Sequence, residues 1–143
     1  RLKAAGAIVL GKSNLSELAG DPQCWSPLFG PTHNPWDLSL TPGGSSGGSA
    51  AAIAMGFAAL ELGSDIGGSI RIPAACCGVV GFKASENRLP RTGHIPHLPG
   101  QPRRVRHMLS FGLLARTVAD VAHAMPSLAA PRHAMPCRAA PAM

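Results

Sequence analysis

The sequence predicts an α/β fold, and three observations carry that prediction. Apolar runs at 7–10 and 58–62 read as strands, and Val79 and Val80 open another apolar segment. Helix signals stand between and after them, above all the Ala-rich run behind Ser49. Two Gly/Ser-rich turns, at 43–49 and 63–69, join the two kinds of element.

Taken in order, residues 1–5 read as the end of an amphipathic helix stopped at Gly6. Ala7 to Leu10 is β-branched and apolar, and reads as a buried strand. Asn14 is placed to cap a short helical turn through Glu17. The stretch 20–42 carries Gly20, Pro22, Pro27, Gly30, Pro31, Pro35 and Pro42, and reads as a long ordered loop. Ser49 starts a helix that runs to Met55. Ala58 to Leu62 turns into a strand that delivers Gly63, Ser64 and Asp65. A second short helix follows Ser69 and breaks near Gly78, and Val79 and Val80 open another apolar segment. Residues 116–124 read as the start of a helix. His-Ala-Met-Pro then occurs at 123–126 and again at 133–136, within an Ala/Pro/Arg/Met tail that shows no core-forming period. The chain is thus divided into a folded part, 1–121, and a low-complexity tail, 122–143, expected to be disordered.

A chain of 143 residues is one domain at most. Low aromatic content, with no Tyr, argues against a complete core of its own. The 17 Gly and 14 Pro approach the disordered range, but the glycines cluster in motifs. Charge is uneven. Residues 1–86 hold five Lys/Arg against six Asp/Glu, whereas 87–143 hold eight Arg against one Asp. The basic balance therefore belongs to the C-terminal part and does not by itself imply a nucleic-acid partner. Cys24, Cys76, Cys77 and Cys137 show neither metal-ligand spacing nor a disulfide framework, and the adjacent pair reads as small buried apolar residues. No signal peptide or membrane span is read, and a cytoplasmic protein is expected.

The chemistry lies in the two turns. Residues 43–49 read Gly-Gly-Ser-Ser-Gly-Gly-Ser, and 63–73 read Gly-Ser-Asp-Ile-Gly-Gly-Ser-Ile-Arg-Ile-Pro. Each sets a serine on nearly bare backbone, where N–H groups can approach a ligand closely. A flexible linker does not suit the first, given the Thr-Pro before it and the Ala-rich helix after it. Acyl transfer needs a nucleophile and an oxyanion hole on one rigid turn, and the second offers both. Gly6 to Ser13 formally matches a phosphate-loop pattern, but its intervening residues read as strand, so it is rejected. His94 and His97, and the basic run Arg103, Arg104, Arg106 and His107, read as surface residues.

Five ordered blocks carry a resemblance. They are Ala-Gly-Ala-Ile-Val-Leu-Gly-Lys-Ser-Asn (5–14), Phe-Gly-Pro-Thr-His-Asn-Pro-Trp-Asp (29–37), Thr-Pro-Gly-Gly-Ser-Ser-Gly-Gly-Ser-Ala-Ala-Ala (41–52), the 63–73 segment and Cys-Gly-Val-Val-Gly-Phe-Lys (77–83). Together they make residues 1–120 resemble the amidase signature family of serine hydrolases. The resemblance implies one large mixed sheet wrapped by helices, and amide cleavage through an acyl-enzyme by a Ser-Ser-Lys triad. Ser69 falls on the nucleophile and Ser45 on the bridging serine, whose bond to Gly44 is cis in the family. Ile66, Gly67, Gly68 and Ser69 fall on the oxyanion hole, and Ser46, Asp65 and Arg71 on supporting positions. The family's lysine lies upstream of the first serine in a Val-Lys-Asp-like context. This sequence begins after that point, which implies a parent several hundred residues long and an inactive fragment. Lys12 does not match that lysine.

The match thins after Asn87. Ala84 and Asn87 stand where the family usually has Pro and Gly, and Leu113 follows Gly112 where it has Pro. The resemblance implies a small-molecule amide substrate, with no cofactor, metal, nucleic acid or membrane, and leaves the oligomeric state open. Ile72 stands where the glutaminyl-tRNA-forming amidotransferase subunit often has Gln, which favours a general amidase. That amidotransferase component is one alternative. A non-catalytic remnant and a nucleic-acid binder using residues 88–106 are the others.

Overall fold

Leu113, Leu114 and Ala115 decide the layering of the molecule. Successive side chains of a strand point to opposite faces. Leu113 and Ala115 pack with Val121, Ala124 and Leu128 on one face, while Leu114 packs with Ile53, Ile70, Ala74 and Cys77 on the other. The result is an α/β arrangement with helices on both sides of a small sheet. The computed structural model describes residues 1–91, 94 and 108–129.

The sheet contains β3 (Leu60–Asp65), β4 (Val80–Lys83) and β5 (Ser110–Ala115), in the order β3-β5-β4. Both neighbours of β5 are antiparallel to it. Helices α1 (Gly47–Ala54) and α2 (Arg71–Cys77) cover one face, and α3 (Val118–Ala129) covers the other. Strands β1 (Trp25–Ser26) and β2 (Gly30–Pro31) form a minimal antiparallel pair inside the long loop.

Several local expectations are met. A 3₁₀ turn, Lys3–Ala5, ends at Gly6 in the left-handed region. Helix α2 ends likewise at Gly78, with φ +69°. β3 delivers Asp65 to the second turn. Others are corrected. Ala7 to Leu10 forms no strand among the described residues, and Ile8 is 85% exposed. A strand needs an edge to pair with, and none is paired with this run among the described residues. Helix α1 starts at Gly47, with Ser46 in the capping position, two residues before Ser49. Asn14 caps nothing. It donates to the Gly30 carbonyl and to Thr32 Oγ1, and accepts from Ser26 Oγ. Cys77 and Cys24 are buried, as expected of small apolar residues, but Cys76 is exposed.

Helical structure runs past residue 121. Helix α3 continues to Ala129, with Val121, Ala124 and Leu128 buried at one-face spacing. A capping box starts it: Thr117 Oγ1 accepts from the Asp120 N–H, and Asp120 Oδ2 accepts from the Thr117 N–H. Arg1 donates to the Leu128 carbonyl and ties the chain start to this helix. The remainder of the expected tail, 130–143, lies outside the described residues.

Candidate active site

The first turn is wedged between α1 and the segment 14–24. At Gly44, a Cβ would lie 2.4 Å from the Asp21 carbonyl oxygen. At Gly48, it would lie 2.4 Å from the Asn14 carbonyl oxygen. No side chain fits at either position. Ser16, fully buried, binds the two segments together. Its N–H donates to the Ser45 carbonyl at 3.2 Å, and its Oγ accepts from the Cys24 N–H and donates to the Asp21 carbonyl. The Gly44–Ser45 peptide bond is cis. Ser45 itself is buried apart from a small exposed fraction.

The second turn is built around Asp65. This side chain is 0% exposed. Its carboxylate accepts the backbone N–H groups of Gly68, Ile70 and Arg71 at 2.9, 3.1 and 3.3 Å. It also accepts two bonds from the Arg71 guanidinium, at 3.0 Å from Nε and 2.9 Å from Nη2. Burial alone pushes its pKa up, but the guanidinium and the three N–H groups outweigh burial and hold it below the ordinary 3.8. The loop is thereby curled around a fixed negative charge. Gly68 has φ +126°, and a Cβ there would meet Ile72 Cδ1 at 2.6 Å.

The two turns meet directly. The Ser46 N–H donates to the Ser69 carbonyl at 3.2 Å. Ser45, Ser69, Ile66 and Gly67 line one cavity of about 330 Å³. The N–H groups of Ile66, Gly67 and Ser69 have no acceptor among the described residues. Nothing lies within 4 Å of where a Cβ would stand at Gly67, so its backbone is open to approach. The Gly68 N–H is different, because it is taken by Asp65. Of the four groups expected to face an oxyanion, three are therefore available. Ser46, Asp65 and Arg71 stand behind the turns and not in the cavity.

Three residues at this site escaped sequence reasoning. Ser16 and Asn14 sit in an unremarkable Ser-Asn-Leu-Ser stretch, and only their contacts reveal them. His94 was placed on the surface, yet it is half-buried, lines the cavity and packs edge-on against Phe111. His97 and the basic run 103–107 lie outside the described residues. Among the described residues no group of three His, Cys, Asp or Glu side chains could hold a metal ion, and no helix is long and apolar enough to cross a membrane.

The Amidase family model matches residues 1–141. A glutamyl-tRNA(Gln) amidotransferase subunit from Methanosarcina barkeri is 46% identical over 129 residues, covering 90% of this chain and 26% of the relative. The solved structure of a glutamyl-tRNA(Gln) amidotransferase subunit from Thermotoga maritima superposes with a TM-score of 0.79 at 41% identity, covering 92% of this chain and 28% of that one. A crystal structure described as an amidase superposes with a TM-score of 0.81 at 42% identity, covering 90% and 28%. The chain thus spans about a quarter of the length of the proteins it matches.

Proposed function

Because the chain belongs to the amidase signature family, we propose that it carries the serine half of a centre that hydrolyses a carboxylic amide C–N bond. One observation supports this most directly: a single cavity holds Ser45, Ser69 and the backbone of Ile66 and Gly67. In this reading Ser69 Oγ attacks the amide carbonyl, and its proton passes to Ser45 Oγ. Ser45 in turn gives a proton to the lysine that the family resemblance puts upstream of residue 1. The N–H groups of Ile66, Gly67 and Ser69 hold the resulting oxyanion. The proton returns through Ser45 to the leaving nitrogen, since an amine anion is a very poor leaving group. Water then releases the acyl group by the same steps in reverse.

A fluorophosphonate probe followed by peptide mass spectrometry tests the assignment. In a full-length protein that includes the lysine, the adduct is expected on Ser69. Ser69→Ala abolishes it. Ser45→Ala slows it by roughly 10²–10⁴-fold, the usual weight of a proton-transfer group, without moving it. An adduct on Ser45 would reverse the two roles, and labelling of neither serine would favour a non-catalytic remnant.

A second reading has its own support. The Methanosarcina relative is one component of a glutamyl-tRNA(Gln) amidotransferase, and this weighs more than the inference from Ile72 that favoured a general amidase. In that reading the amide hydrolysed is glutamine, and the chain works beside other subunits. Ammonia release from glutamine, compared with release from a simple aliphatic amide, separates the two.

A further inference from the structure

Helix α1 carries the first serine turn at its start, and β3 carries the second at its end. The chemistry depends on how these two elements are aligned, yet α1 offers little to fix the alignment. Apart from Ser49, its residues are Gly, Ala and one Ile, and side chains so small make shallow ridges along which a helix can slide. Ser49 is the one polar side chain of the helix, and it is buried. Its Oγ lies 2.7 Å from Ser13 Oγ, and both hydroxyls reach Glu61 Oε2 at 3.4 Å.

Glu61, Gly63 and Asp65 alternate along β3 and so share one face of it. Each meets a different part of the site. Asp65 holds the second turn. At Gly63, a Cβ would stand 3.3 Å from Ser46 Oγ and 3.0 Å from Ile70 Cγ1, so the strand passes closely beside the first turn. Glu61 meets Ser49, about one helical turn further along α1. Helix and strand thus run past each other in opposite senses, with Ser46 beside Gly63 and Ser49 beside Glu61. The arm that contains Ser13 also grips the start of the helix. The Asn14 carbonyl accepts the Gly48 N–H at 3.2 Å, and the Ser16 N–H donates to the Ser45 carbonyl at 3.2 Å.

Each serine hydroxyl has one proton to donate. Either one serine donates to the other, which donates to the carboxylate, or both donate to the carboxylate. In both cases Glu61 is the acceptor on which the cluster closes, and it ties β3 to α1. A polar group within a largely apolar contact fixes register, because a shifted register leaves it unpaired.

We propose that Glu61 is a positioning residue of this active site, acting through Ser49 to set α1 along β3 so that Ser45 stays within proton-transfer reach of Ser69. Glu61 itself stands outside the cavity. The proposal rests on the serine-amidase reading.

Full-length protein that includes the upstream lysine tests it, with hydrolysis of a simple aliphatic amide and fluorophosphonate labelling of Ser69 as readouts. Glu61→Leu removes the acceptor. It is expected to lower kcat and the labelling rate roughly tenfold to a hundredfold, the range for a misplacement of up to about 1 Å. KM stays near its native value, because no cavity wall is changed. Urea unfolding shows no matching loss of stability, since an apolar side chain replaces a half-buried carboxylate. Glu61→Gln keeps an acceptor for the hydroxyls and restores most of the rate. Ser49→Ala, which favours the helix, reproduces the loss and carries the test if Glu61→Leu does not fold. The double variant falls no further than Ser49→Ala alone, as expected of two members of one link. Crystal structures of the native protein and of either single variant show Ser45 displaced relative to Ser69. An unchanged rate in the folded variants overturns the proposal, as do losses that add in the double variant or a Ser45–Ser69 separation that does not alter. If the native full-length protein neither hydrolyses the amide nor takes label on Ser69, the serine-amidase reading fails instead. The crystallographic comparison then decides the role of Glu61 by itself.

Discussion

Asp65 shows how one buried charge shapes a site from behind. It touches no substrate position, yet five N–H bonds converge on it and give the 66–71 loop its curl. Its pKa is depressed, so its contribution to stability is present above the ordinary 3.8 and is lost as pH falls through the lower folded-state value. Asp65→Asn is expected to cost about 1.5–3 kcal/mol at neutral pH, the weight of hydrogen bonds to a charged group. The variant should also lack part of the acid destabilisation expected below pH 3.8 in the native protein. Urea unfolding at a series of pH values measures both effects. The cysteines give a second residue-level expectation. Burial, with the neighbouring Cys76 and Cys24 adding to it, pushes the Cys77 thiol up to about 11. In a Cys137→Ser background at pH 8, a disulfide reagent should modify Cys76 in the native state. Cys24 and Cys77 should react only after denaturation.

Among the elements, α3 makes the sharpest test. Its first half reads as a helix start in the sequence, but 122–129 falls in the expected tail, because an Ala/Pro/Met composition masks its apolar spacing. Leu128→Ala is expected to cost about 2–5 kcal/mol if the helix packs as described. A thermal melt unchanged by that substitution would show that 122–129 adds no core. A second element-level device joins the arm before α1 to β3. Ser13 Oγ lies 2.7 Å from Ser49 Oγ, and both reach Glu61 Oε2 at 3.4 Å. Burial raises the Glu61 pKa, and the two hydroxyls offset that only in part. A raised carboxylate favours the folded state while protonated, and this contribution is lost as pH rises from 4.5 through the folded value. Glu61→Gln should therefore be more stable than the native protein at pH 7, with a flatter pH dependence above 4.5. Chemical denaturation of the two proteins side by side checks it.

At the scale of the whole molecule, many large apolar side chains are exposed. Ile8, Leu10, Leu28, Phe29, Trp36 and Leu38 are each more than two-thirds exposed. The outer edges of β3 and β4 have no strand beside them among the described residues. Large apolar side chains exposed in this number favour burial against another polypeptide segment, or aggregation. The 143-residue polypeptide by itself is expected to bind a hydrophobic dye and to self-associate at micromolar concentration, seen by light scattering. A monomer with a sharp cooperative unfolding transition would refute this.

The two serine turns were legible before any coordinates because their glycines answer a local demand. At Gly44 and Gly68 there is no room for a Cβ, and short-range backbone geometry is written in residue identity. The same holds for Gly6 and Gly78, which end their helical segments in the left-handed region. Pairing and packing are long-range and left no such mark. β5 escaped notice, though it is the strand on which both cores meet, because nothing in Ser110–Ala115 names its partners. Ala7 to Leu10 carries a strand pattern and lacks an edge to join. The bond from the Ser46 N–H to the Ser69 carbonyl and the placing of His94 against Phe111 join segments far apart in sequence. Such contacts arise only when distant segments are brought to one place, since each depends on a partner that local sequence does not specify.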